Sequence, residues 1–143
     1  MKSYFAKFDS VNSFLQIIVY EQMSYKNYLD IIKYFLSLNI EHSNKLYILL
    51  YVRKPQTTIN IPDIKKLIKP FYEAIRKFKN VRFVELVNFP METAYGMILK
   101  AQTSHLTNLQ FEIFCTYEAA ISWLRIKNTM SLNHSITEHK TVV

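Results

Sequence analysis

Gly96 is the only glycine in the 143 residues, and Cys115 the only cysteine. Loops that cradle phosphates need several glycines where backbone meets ligand, so Rossmann and P-loop nucleotide sites are excluded. A lone cysteine forms no internal disulfide and supports neither a disulfide scaffold nor a structural zinc site. It closes the apolar run Phe111-Glu112-Ile113-Phe114-Cys115 and is expected to be a small buried hydrophobe, since no His or basic residue stands near enough in sequence to stabilise a thiolate. No uninterrupted apolar run approaches the ~20 residues of a membrane span. The charged start, Met1 to Asp9, lacks the apolar stretch of a signal peptide. The expected setting is the cytoplasm.

Catalytic parts are also scarce. The four histidines, His42, His105, His134 and His139, form no HxH, HExxH or His–carboxylate cluster, so no metal site is expected. No Ser, Cys or Thr sits on a glycine-bearing elbow after a strand. Spacing nominates no pair of acid and base carboxylates. The chain is therefore expected to have no catalytic residue and no cofactor.

Large rings are plentiful, with ten Tyr and ten Phe, and few such rings fill the core of a domain this size. Residues 3 to 8 alternate crudely, turn chemistry follows at Asp9-Ser10 and Asn12-Ser13, and Phe14 to Tyr20 is β-rich, so a hairpin is expected. Ser24 is placed to cap a helix bearing Tyr28, Ile31, Ile32, Phe35 and Leu38 on one face. Leu46 to Val52 shows no polar alternation and reads as a strand buried on both sides. After the loop Arg53 to Asn60, an apolar stripe runs through Ile64, Leu67, Ile68, Phe71, Ile75 and Phe78. Pro62 suits its first turn, Asn80 its end, and Pro70 should kink or split it. Val81 to Asn88 reads as a strand, and Pro90 opens a helix with Met91, Ala94, Ile98 and Ala101 expected inward. A strand over Phe111 to Thr116 leads into a last helix capped by Thr116, with Ala120, Trp123 and Leu124 inward.

The order β-β-α-β-α-β-α-β-α argues for an α/β fold: a central mixed, largely parallel sheet with an N-terminal antiparallel hairpin and helices packed on it. One domain over residues 1–127 is expected, with 128–143 a polar, mobile tail that orders on docking.

Charge is uneven. Residues 53–82 hold nine basic residues against Asp63 and Glu73, a surplus equal to the whole formal charge of +7. Lys65, Lys66, Lys69, Arg76 and Lys77 fall off the apolar stripe and form a candidate surface for anions or an acidic partner. No aromatic is expected on that face for base stacking, which argues against nucleic acid.

Val81 to Val87, Asn88 to Met97 and the ending Phe114-x-x-x-Glu118-Ala119-x-x-x-Trp123-Leu124 resemble the SpoIIAA-like, STAS-type proteins, and the order of elements fits across about residues 3 to 126. The resemblance implies a sheet with helices on its faces, related in shape to the SEC14 class. It also implies a non-catalytic role: regulation, binding a protein partner, or holding a lipid or other apolar ligand. Apart from the resemblance, the two N-terminal β-runs offer an exposed edge for self-association as a homodimer. Relatives that antagonise anti-sigma factors carry a phosphorylatable Ser after Asp where a central strand meets a helix. Here that place reads Lys54-Pro55-Gln56-Thr57-Thr58, with no Asp-Ser pair, so Thr57 and Thr58 are the residues left for a phospho-switch.

Overall fold

The computed structural model describes residues 3–38, 45–56 and 59–125. Thr57, Thr58, His42, His134, His139 and the 128–143 segment lie outside the described residues. The first two strands, β1 (Tyr4–Asp9) and β2 (Phe14–Val19), form an antiparallel hairpin. Its turn is built by Asp9, whose Oδ1 accepts from the Val11 and Asn12 amides and whose Oδ2 accepts from Asn12 Nδ2. Ser13 takes the left-handed conformation, φ 50°. From β2 onward the chain alternates: α1 (Tyr25–Ser37), β3 (Lys45–Val52), α2 (Ile61–Ile75), β4 (Asn80–Val87), α3 (Pro90–Gln102), β5 (Leu109–Phe114) and α4 (Tyr117–Leu124). The sheet is an α/β sheet in strict chain order, β1-β2-β3-β4-β5, parallel from β2 to β5.

That order governs where the helices go. From β2 to β5 the chain advances one strand at a time in the same direction, and parallel crossovers of one hand put successive helices on one face, where α1, α2 and α3 pack together. Helix α4 lies on the other. One core joins Leu15, Ile17, Leu46, Ile48 and Phe83 to Ile31, Ile32, Phe35 and Ile75 of α1 and α2. The second joins Phe14, Ile18, Leu49, Val84 and Leu86 to Ala120, Ile121 and Leu124 of α4. Strands β2 and β3 therefore bury both faces, which is why Leu46 to Val52 runs apolar without alternation and why even Gln16 in β2 is buried.

Helix ends follow local chemistry. Ser24 and Asn27 form a reciprocal capping box at α1, a device worth about 1 kcal/mol. Asn60 accepts from the Asp63 amide at α2, and Thr116 from the Ala119 amide at α4. Helix α2 runs through Pro70 without splitting. The ring removes the hydrogen bond to the Lys66 carbonyl, but Lys66 is exposed, so water can serve that oxygen. The helix ends at Ile75, before Phe78, and Asn80 opens β4 rather than closing α2.

Two expectations about burial are overturned. Cys115 is exposed, because β5 ends at Phe114 and the cysteine sits in the bend before α4. Helix α3 is rotated relative to its hydrophobic pattern. Met91, Ala94 and Ala101 are exposed and Ile98 only half-buried, while Glu92, Gly96 and Thr103 are buried. Among the described residues no helix is long and apolar enough to cross a membrane.

Candidate ligand cavity between the sheet and three helices

The rotation of α3 brings a carboxylate inward. Glu92, Tyr95, Leu99 and Thr103 recur at helical spacing and line a cavity of about 120 Å³ between the sheet and α1–α3. Its floor is Ile17, Leu50, Phe83, Glu85 and Phe111, and its roof includes Tyr28, Phe35, Leu67 and Phe71. The rings form a continuous run. Phe35 meets Phe71 edge-on at 6.2 Å, Phe71 meets Phe83 edge-on at 5.6 Å, and Phe83 stacks on Phe111 at 4.9 Å. Such contacts hold the walls in place beyond simple area burial.

Two carboxyl groups interrupt this apolar lining. Glu85 comes from the middle of β4, where its pleat points to the helix side, and is 5 % exposed. Glu92 comes from the first turn of α3 and is 2 % exposed. Each has an Oε2 with no hydrogen-bond partner among the described residues. Burial, and then the neighbouring Glu92, push the Glu85 carboxyl up to about 8. Burial also pushes the Tyr28 hydroxyl above its ordinary range, and Glu85 and Glu92 add to that. Like charges and a dry site both favour the neutral acid.

Gln56 organises the cavity's rim. Its backbone N–H donates to Glu92 Oε1. Its side-chain oxygen accepts from the Met23 amide at 2.8 Å, and its Nε2 donates to the carbonyls of Glu21 and Lys54 at 3.1 and 2.8 Å. The segments following β2 and β3 are thereby tied to the start of α3. All lie at the carboxyl ends of the parallel strands β2, β3 and β4.

The basic residues lie elsewhere. Lys65, Lys66, Lys69, Arg76 and Lys77 are exposed on α2 and just beyond it, away from the cavity. Lys66 lies 4.0 Å from Asp63, and Arg76 3.5 Å from Glu73. Lys77 Nζ donates to the carbonyls of Leu36 and Leu38 at the end of α1. Contrary to expectation an aromatic joins this face: Tyr72 is 41 % exposed and follows Lys65 and Lys69 at helical spacing. Among the described residues no group of three or more His, Cys, Asp or Glu is placed to hold a metal ion.

Sequence reasoning missed the carboxyl pair. Glu85 and Glu92 lie seven residues apart across a strand–helix turn, a separation with no motif attached. Two signals were present: an acidic residue, Glu85, in phase with Val81 and Phe83 in the strand Val81–Val87, and the chain's single glycine within a helix. Comparison with protein-family models, curated proteins and solved structures finds no match for this chain.

Proposed function

We propose that the chain is a non-catalytic ligand-binding module of STAS-like organisation, which holds a small, mainly apolar molecule between its sheet and α1–α3. The cavity carries this reading. At about 120 Å³ it is close to the roughly 150 Å³ apolar cavity that holds benzene and well below the ~300 Å³ at which drug-sized sites begin. The reading is therefore narrower than a lipid carrier: one ring or a short branched chain fits, and a long acyl chain does not. The order of elements and the Phe114–Leu124 ending support the STAS-like assignment. A free, exposed thiol at Cys115 suits a reducing compartment, so the proposal includes a cytoplasmic setting.

Thermal unfolding with and without toluene tests it. A ligand confined to the folded state raises the midpoint with concentration. The rise should vanish in Leu67→Trp, which pushes a larger ring into the space. No rise, or an equal rise in Leu67→Trp, contradicts the reading.

A second reading, self-association or docking of another protein, draws on the sheet's two edges. Among the described residues β1 and β5 each pair on one side only, and such edges accept a further strand. Sedimentation equilibrium that finds a monomer throughout removes the homodimer form of that reading.

A further inference from the structure

We infer that the cavity is selective for a small ammonium ligand with an apolar body, its cation seated between Glu85 and Glu92. This rests on the ligand-binding reading above and names the ligand class. The first support is supply and demand for hydrogen bonds. Both carboxyl groups are more than nine-tenths buried, and each offers an Oε2 without a partner among the described residues. An ammonium carries up to three donors on one atom, enough to serve both. A hydrocarbon would leave both unserved, and burying a polar group without a partner is unfavourable.

The second support is charge. Among the described residues lining the cavity there is no Lys, Arg or His, so none of them is a counter-ion to this pair. A ligand cation balances the charge of the pair once Glu85 gives up its proton. The third is the wall. Rings such as Phe35, Phe71 and Tyr95 suit both an apolar body and a neighbouring cation. The fourth is anchoring: the Gln56 amide holds Glu92 by Oε1, which fixes the carboxyl group at the cavity wall and leaves Oε2 the unserved oxygen. A hard divalent metal fits less well, because it asks for about six oxygen ligands.

The site also has a proton to give up. Glu85 faces Glu92 on α3 and Tyr28 on α1, all acidic groups, and it holds its proton at neutral pH. Seating an ammonium favours the ionised form, so the proton leaves to solvent as the cation enters. Affinity therefore rises between about pH 6 and pH 8 while the amine stays protonated.

Calorimetric titration with benzylamine, benzyl alcohol and toluene, three probes of nearly equal size, tests this in the full chain. Benzylamine should bind about tenfold or more tighter than benzyl alcohol and release protons on binding. Glu85→Gln and Glu92→Gln should each weaken benzylamine about tenfold relative to benzyl alcohol measured in the same variant. The comparison of the three probes on the unaltered chain needs no variant, so poor folding of either variant leaves the test intact. Benzylamine binding no tighter than benzyl alcohol overturns the inference, and if toluene still binds, the ligand-binding reading stands. Failure of all three probes to bind overturns both.

Discussion

A Cβ placed on Gly96 of α3 would lie 2.6 Å from Glu85 Oε2 of β4 and 2.9 Å from Ile113 Cδ1 of β5. The chain's one glycine is thus the point where a helix comes down onto a buried carboxyl group. Alanine is ordinarily the better helix residue by about 1 kcal/mol. Here Gly96→Ala should instead destabilise by about 1–3 kcal/mol, because Glu85 and Ile113 must both give way. The penalty should shrink by about 1 kcal/mol or more in a Glu85→Ala background, read by a double-mutant cycle in urea. Simple additivity would show that the two residues do not compete for the same space.

Glu85 should make stability depend on pH. Its carboxyl is held up at about 8 in the folded chain, against an ordinary 4.5. Between those values the folded protein keeps a proton that the unfolded chain has released. Stability therefore falls as pH rises through that window, by up to about 1.4 kcal/mol per pH unit, and levels off below and above it. Glu85→Gln should lose this slope and be the more stable protein by pH 8. Urea unfolding of both proteins across the window checks this, and parallel pH profiles would contradict it.

Gln56 should matter to stability far more than an ordinary loop residue. Its side chain serves the Met23 amide and two carbonyls while only 3 % exposed. Gln56→Ala leaves that buried amide without an acceptor, so a loss of about 2–4 kcal/mol is expected. A change under about 0.5 kcal/mol, typical of a surface site, would mean the rim is not held this way.

The basic residues should separate into two kinds. Lys77 caps the last carbonyls of α1, and Lys77→Ala should cost about 0.5–1 kcal/mol. Lys65→Ala and Lys69→Ala should change stability by less than about 0.5 kcal/mol and leave toluene binding unaltered. Loss of toluene binding in either lysine variant would place the ligand on α2's outer face instead.

The frame of the fold was legible because its signals are local or periodic. Ser24 and Thr116 announce their helices by capping, Pro62 marks a first turn, and Leu46–Val52 is apolar without alternation because it is covered on both sides. The cavity was not legible, because it arises where periodicity points the wrong way. Met91 and Ala94 follow the apolar stripe expected of α3, yet both face solvent. Contact with β4 and β5 turns Gly96 inward instead, since the only residue without a side chain allows the closest approach. Glu92 then enters with it. Pairing of Glu85 with Glu92 depends on that rotation, a tertiary fact that no spacing rule contains. Cys115 misleads for a simpler reason: β5 stops one residue before it.

The central claim is that the space between the sheet and α1–α3 accepts a small apolar molecule. Methyl-resolved NMR during a toluene titration tests it most directly. Saturable shifts should appear at Ile17, Ile31, Ile32 and Leu99, which line the cavity. Ile121 and Leu124, on the α4 side of the sheet, should stay still. Shifts spread evenly over both faces, or none at all, would contradict the account.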